Sequence, residues 1–126
     1  MARVIGFGGI FFRSRDPQAL REWYARNLGV DVNDYGAMFA EDEKRPGLTL
    51  WAPFASDTAY FAPSEREFML NFRVDDLDAL LTSLRAAGVQ VDPNVHDDEN
   101  GRFGWIMDPD GTRIELWQPP SATMPA

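Results

Sequence analysis

The hydrophobic pattern predicts two helices, at 16–29 and 75–88. Apolar residues recur there every three or four positions, which places them on one face of a helix. The two stripes are Leu20, Trp23, Tyr24 and Leu28, and Leu77, Leu80, Leu81 and Leu84. Cap residues flank both segments: Asp16, Pro17 and Gly29 around the first, and Asp75 or Asp76 and Gly88 around the second.

The other apolar residues form short runs separated by turn residues, which is typical of strands. Candidate strands lie at 4–13, 36–41, 48–52, 67–74, 89–95, 102–107 and 112–118, and a weaker one at 30–34. The charged sequence EDEKRP at 41–46 predicts an exposed loop. The order of helices and strands indicates an α+β fold.

The two halves of the chain resemble each other. Asp16 and Leu20 align with Asp76 and Leu80, sixty residues later. The closing segments LTLWAP and IELWQP also align, with Trp51 opposite Trp117. Two matches in the same order indicate an internal duplication. The sequence therefore predicts one domain made of two βαβββ modules, at 3–53 and 67–119, with a linker at 54–66 and a tail at 120–126.

Alternation along the predicted strands separates an aliphatic face from a mixed face. The aliphatic faces are expected to pack under the two helices. Bulky aromatic side chains on the mixed faces favour a ligand cup over open solvent, because they would form a large exposed patch. The candidate cup residues are Phe11, Arg13, Trp51, Asn71, Arg73, Arg113, Glu115 and Trp117.

The duplicated pattern and three of its motifs resemble the vicinal oxygen chelate superfamily. The motifs are SRDPQALREWYARNLGV, NFRVDDLDALLTSLRAAGV and GWIMDPDGTRIELWQP. The superfamily includes glyoxalase I, bleomycin-resistance proteins and extradiol dioxygenases. The resemblance implies curved mixed sheets around a cup, helices on the outer face and a homodimer, with the cup built within one chain or across two. Many members bind Fe, Mn, Zn, Ni or Mg in the cup.

The metal-ligand positions of such members carry over to Gly9, Thr49, Met69 and Glu115. Only Glu115 is an ordinary ligand, since glycine has no side chain, methionine is soft and a threonine hydroxyl is weak. A catalytic metal usually needs three protein ligands. We therefore predict no metal and no other cofactor, which disfavours metal-dependent glyoxalase or dioxygenase activity.

Glu115 then has three possible roles. It could be a structural carboxylate paired with Arg113, Arg73 or Arg13. It could accept a hydrogen bond from a ligand. It could also act as a general acid or base, because partial burial beside Trp117 would raise its pKa.

Other residues leave alternatives open. Arg13 and Arg73 occupy equivalent positions and either bind an anionic ligand or pair with Asp16, Asp76 or Glu115. Asn71 either orients a ligand or bonds another side chain. An aromatic wall or packing explains Trp51 and Trp117 equally well, whereas packing is favoured for Trp105. His96 lies in the sequence VHDDENG, a polar loop or strand end, where a solvated acidic loop is favoured over a metal site with Asp97, Asp98 and Glu99.

Net charge and cysteine content limit the binding partners and the cellular location that the sequence predicts. A net charge of −8 disfavours nucleic acid and anionic membrane surfaces. The chain has no cysteine and no signal-peptide pattern, so a cytoplasmic location is expected. The predicted function is metal-independent binding of a small organic molecule, as in bleomycin-resistance-like sequestration. The alternatives are a lyase or isomerase using Glu115 or an unrecognised metal site, and an interaction module whose cup is filled by its own side chains.

Overall fold

The computed structural model describes residues 2–28, 30–40 and 48–120. These residues form β1 (Val4–Ser14), α1 (Pro17–Leu28), β2 (Ala37–Ala40), β3 (Leu48–Ala55), β4 (Phe68–Val74), α2 (Leu77–Ala86), β5 (His96–Asp98), β6 (Gly101–Met107) and β7 (Arg113–Gln118). The expected helix end at Gly29, the loop at 41–46 and residues 121–126 of the tail lie outside the described residues.

The described strands form one curved sheet in the order β2-β3-β1-β4-β7-β6-β5. Each module contributes a parallel pair, β1 with β3 and β4 with β7. The modules join through the antiparallel pair β1–β4. The predicted α+β fold of two βαβββ-like modules is confirmed.

Both helices begin at the predicted aspartates. The Asp16 carboxylate accepts from the backbone N–H of Ala19 at 3.0 Å, and that of Asp76 from Ala79 at 3.1 Å. These bonds satisfy amide groups of the first turn that have no partner within the helix. Neither helix in the described part of the chain is long and apolar enough to cross a membrane.

Two of the predicted strands form only a single β-bridge each. The segment 89–95 contributes only the bridge Val91–Ile106, and 30–34 only Val32–Ala37. Conversely, the exposed segment around His96, predicted as a polar loop or strand end, forms the edge strand β5, which pairs with the start of β6. A short hairpin explains this strand despite its polar side chains, because its backbone hydrogen bonds do not require a buried face.

The sheet separates two hydrophobic clusters. The outer cluster packs α2 onto β4 and β7 through Val74, Leu77, Leu81 and Leu116. The inner cluster lies on the concave face and consists of Phe11, Ala52, Phe61, Met69 and Trp105. Mixed side chains therefore face inward in the second module, as the alternation predicts.

Trp51 is an exception, because it lies on the outer face and not in the cup. Its ring packs against Tyr24 of α1, with ring centroids 4.4 Å apart. The strand register explains the error. Phe12 pairs with Pro53 and the equivalent Phe72 pairs with Leu116, so Pro53 corresponds to Leu116. The sequence alignment instead places Trp51 opposite Trp117, which is offset from the strand register by an odd number of residues. Because side chains alternate between the two faces of a sheet, an odd offset moves a side chain to the other face.

Candidate ligand-binding site

Glu115 lies on the concave face of β7, with only 2 % of its surface exposed. In the sheet it pairs with Asn71 of β4 on one side and Trp105 of β6 on the other. Side chains of paired residues point to the same face, so both neighbours reach the carboxylate. The sheet register thus explains how a carboxylate is tolerated in so apolar a strand.

Three neutral donors hold the Glu115 carboxylate. Asn71 Nδ2 donates to Oε1 at 2.6 Å, and Trp105 Nε1 donates to Oε2 at 3.0 Å. The Tyr60 hydroxyl also donates to Oε2. This buried carboxylate is stabilised by amide, indole and phenol donors, and its pairing with an arginine stays a prediction.

Burial is the main cause of the pKa shifts of Glu115 and Tyr60. It raises the pKa of Glu115, and the hydrogen bonds from Tyr60, Trp105 and Asn71, together with the Arg113 charge, oppose that rise. Burial also raises the pKa of Tyr60, and the neighbouring Glu115 raises it further. The Tyr60 phenol therefore remains protonated and donates. The Glu115 carboxyl keeps its proton to a higher pH than an ordinary glutamate does.

Tyr60 reaches Glu115 from the linker between the modules. Its ring stacks on Phe54, with centroids 5.6 Å apart, and meets Trp105 edge-on at 6.1 Å. The next residue, Phe61, is fully buried in the inner cluster and anchors the segment. Tyr60 was not among the predicted site residues, because its contact with Glu115 spans 55 residues of sequence. The aromatic pair Tyr60–Phe61 within the linker was the available signal.

An open cleft of about 490 Å³ lies beside this cluster. Three aromatic side chains line it, Tyr60, Phe103 and Trp105. Charged and polar groups line it as well, among them Asp92, His96, Asp98 and Arg113. The cleft therefore combines flat apolar surfaces with groups of both charges, as small-molecule sites do.

Arg113 lines this cleft and contacts both an aromatic ring and a carboxylate in its wall. Its guanidinium carbon lies 5.2 Å from the centre of the Trp105 ring, and Nη1 contacts Asp92 Oδ2 at 3.4 Å. Its side chain is only 9 % exposed. The guanidinium is therefore part of the wall and already faces a carboxylate.

The other predicted arginines lie elsewhere on the sheet. Arg13 packs over the Phe61 ring at 5.1 Å and donates to the backbone carbonyl of Arg66. Arg73 is buried, with Nη2 close to Gly6. Neither is among the residues that line the cleft. Their prediction as ligand-binding residues stays a prediction, but the cleft gives it no support.

The aromatic residues predicted to line the cup lie at different places in the structure. Trp117 is buried, donates from Nε1 to the Asn100 carbonyl at 2.7 Å, and stacks parallel to Phe103 with centroids 6.2 Å apart. It therefore contacts the cleft residue Phe103 from the neighbouring strand, on the same face of the sheet. Phe11 lies in the inner core. Trp105, for which packing was favoured, both packs in that core and lines the cleft.

The residues around Glu115 do not fit a divalent metal. Leu50, Gly9 and Asn71 lie in the same row across the sheet, and none offers a carboxylate or imidazole. Thr49, carried over as a ligand position, alternates with Leu50 and so points to the outer face with Trp51. Among the described residues, no group of three or more His, Asp, Glu or Cys side chains converges. A single carboxylate is too few for a catalytic metal.

Comparison with known proteins places this architecture in a family. A model of the glyoxalase-like domain matches residues 9–117. A methylmalonyl-CoA epimerase solved with methylmalonyl-CoA and NH4+ superposes with a TM-score of 0.73 at 19 % identity, covering 98 % of this chain and 100 % of that one. A methylmalonyl-CoA epimerase from Mycobacterium tuberculosis gives 0.61 at 25 %, covering 93 % and 89 %.

A Mn(II)-bound glyoxalase from Novosphingobium aromaticivorans is also similar. Its TM-score is 0.58 at 20 % identity, and the match covers 94 % of this chain and 40 % of that one. No curated protein matches the chain significantly. These likenesses support the fold, whereas the family match spans both modules from β1 to β7. The chain therefore belongs to the glyoxalase-like domain family, within the vicinal oxygen chelate superfamily.

Proposed function

We propose that this protein binds a small, flat organic molecule in the cleft beside Glu115, without a metal. The observation that carries the proposal is the cleft itself, about 490 Å³ in volume, with Tyr60, Phe103 and Trp105 along its walls. Aromatic faces favour a planar ligand through stacking and apolar burial. Reversible binding of this kind matches the sequestration that the superfamily resemblance implies.

Metal independence rests on the side chains present. The row beside Glu115 contains Leu50, Gly9 and Asn71, which cannot complete a coordination shell. Glu115 itself already accepts hydrogen bonds from three protein groups. A metal would have to compete with those donors for the lone pairs of a single carboxylate.

Thermal melting against a panel of planar compounds tests the proposal. At a concentration of a hundred times Kd, a ligand that binds only the folded state stabilises it by about 2.7 kcal/mol. We expect at least one compound to raise the Tm and the Phe103→Ala variant to lose that response. Phe39→Ala is the control, because Phe39 is exposed on β2 and does not line the cleft. No Tm rise with any compound, or an equal loss in both variants, contradicts the proposal.

Elemental analysis and melting with divalent metals test the second part. We expect purified, untagged protein to retain no stoichiometric metal. Zn²⁺, Mn²⁺, Fe²⁺, Ni²⁺ and Mg²⁺ should leave the Tm unchanged. A bound stoichiometric metal that stabilises the fold would contradict metal independence.

One observation favours a second candidate, an acid–base lyase or isomerase. Burial raises the pKa of Glu115, which brings the carboxyl closer to a useful proton donor and acceptor. Two structurally similar proteins are methylmalonyl-CoA epimerases, so methylmalonyl-CoA is the first substrate to assay. Turnover that is lost in Glu115→Gln, with the fold intact, would favour this candidate over binding alone.

A homodimer remains part of the proposal. Four apolar side chains of β1 are exposed on the single chain: Val4, Ile5, Phe7 and Ile10. Exposed apolar patches of this kind favour contact with another protein surface. Sedimentation equilibrium tests it, and a monomer at all concentrations would contradict it.

A further inference from the structure

We propose that a ligand binds by displacing the Tyr60 hydroxyl from Glu115. A cationic N–H group of the ligand then donates to the carboxylate in its place. The ligand class is therefore a flat organic cation with N–H groups, such as an aryl amidine or guanidine. This inference rests on the proposed function, since it specifies what the same cleft binds.

Tyr60 differs from the two other donors to Glu115. Asn71 and Trp105 are buried in strands next to β7, so the sheet fixes their positions. Tyr60 comes from the linker and is 37 % exposed. It is the one donor of the three that can leave without disturbing the sheet.

The backbone around Tyr60 is held in place on both sides. On one side, the Tyr60 backbone N–H donates to Thr58 Oγ1 at 3.2 Å. On the other, Phe61 is fully buried and Ser64 Oγ donates to the Gly111 carbonyl at 2.7 Å. The displacement that we infer is therefore a rotation of the Tyr60 side chain about a fixed backbone, without the opening of a loop.

The uncovered carboxylate oxygen would require a new donor. Tyr60 and Trp105 both donate to Oε2, and both side chains line the cleft. A buried acceptor that loses a partner is costly, and more so when it is charged. A ligand that displaces Tyr60 therefore binds best when it donates a hydrogen bond to Oε2 in its place, and a positive charge strengthens that bond. A carboxylate ligand would instead repel Glu115.

The charges around the cleft favour the same ligand. Asp92 and Asp98 line it, together with one guanidinium, that of Arg113. Arg113 already faces Asp92, while Asp98 accepts from His96 at 3.0 Å. With Glu115 behind Tyr60, carboxylates outnumber the guanidinium. The rings of Trp105 and Phe103, which stay in the wall of the cleft, add cation–π attraction.

Three probes with one ring system test the charge preference. 2-Naphthamidine is a cation, 2-naphthamide is neutral and 2-naphthoate is an anion, and all three are similar in shape. The NMR signal of the Trp105 indole N–H reports on Glu115 directly, because this group donates to Oε2. Since charge-assisted hydrogen bonds are about twice as strong as neutral ones, we expect the amidine to bind at least about tenfold more tightly than the amide. The anion should bind most weakly.

Substitution of Tyr60 tests the displacement. Tyr60→Phe keeps the ring but removes the hydroxyl that the ligand must displace, so amidine affinity should rise severalfold in mildly alkaline buffer. Tyr35→Phe is the matched control, because Tyr35 is 82 % exposed and is not a cleft residue. Glu115→Gln should lower the preference for the amidine over the amide severalfold, whereas Tyr35→Phe should leave it unchanged.

Some results would overturn the inference. Amide or naphthoate binding as tight as that of the amidine would overturn the charge preference. An amidine affinity that is unchanged in Tyr60→Phe and reduced in Asp92→Asn would place the cation at the cleft mouth, away from Glu115. In either case the cleft would still bind a planar molecule, so the proposed function would survive. Absence of amidine binding overturns the inference alone, since the wider panel tests the function.

Discussion

Asn71 and Glu115 lie opposite each other on β4 and β7, and the Asn71 amide donates to Glu115 Oε1 at 2.6 Å. Asn71 is fully buried, and its own Oδ1 lies only 1.7 Å from where a Cβ of Gly8 would stand. Glycine at position 8 therefore makes room for the side chain that holds the carboxylate.

Asn71→Asp should destabilise the protein. The substitution replaces an N–H donor by a second carboxyl against Glu115, and two buried carboxylates in contact cannot both ionise. We expect a loss of about 1–3 kcal/mol in the free energy of unfolding, measured by urea denaturation at neutral pH. Asn94→Asp adds the same charge at an exposed position and should stay within about 0.5 kcal/mol of the wild type. Equal effects in the two variants would show that Asn71 does not support Glu115.

Gly8→Ala should be destabilising because of Asn71 and not because of backbone strain. Gly8 is not among the described glycines with positive φ, so alanine can adopt its backbone conformation. The added methyl would overlap Asn71 Oδ1, and overpacking of this kind costs about 1–3 kcal/mol. A double-mutant cycle checks the cause. Gly8→Ala should cost less in an Asn71→Ala background, and additive effects would contradict the assignment.

Tyr60 should not ionise while the protein is folded. Its pKa is raised by burial and by Glu115, and a phenolate next to that carboxylate would face a like charge. The ultraviolet phenolate absorbance of wild type and Tyr60→Phe should therefore be equal at every alkaline pH below unfolding. The two should differ by one phenolate once both have unfolded. A one-phenolate difference in the folded range would show that burial and Glu115 do not raise the pKa of Tyr60.

The fold was predictable from local signals, whereas the site depends on contacts that cross the chain. The helix caps Asp16 and Asp76 and the alternation along β7 are short-range patterns, and the structure preserves them. The outward position of Trp51 follows from pairing with β1, which the repeated motif alone does not reveal. Tyr60 reaches the site only because the linker crosses the concave face.

The β5–β6 hairpin shows a signal that was present but not used. Asp98 pairs with Gly101, and Gly101 has a φ of +124°, a conformation that favours glycine. The sequence Asn100–Gly101 is a common turn signal between strands. It therefore predicts a hairpin where the acidic composition around His96 suggested a loop.

Burial of Glu115 should give the stability of the protein a distinct dependence on pH. Its folded pKa lies above the ordinary value of 4.5, so the folded state keeps this proton after the unfolded state has released it. The free energy of unfolding should therefore fall as pH rises from about 4.5 to the folded pKa, by at most about 1.4 kcal/mol per pH unit, and this contribution should be flat above that range.

Urea denaturation of wild type and Glu115→Gln across this range isolates the contribution of Glu115. Asp75 has a lowered pKa and contributes the opposite dependence, with stability lost as pH falls below 3.8, but both proteins share it. The difference between them should decline with rising pH and then level off. Glu65→Gln, at an exposed linker position, controls for the loss of one negative charge. A difference that grows with pH would mean that the three donors outweigh burial and that Glu115 is ionised throughout.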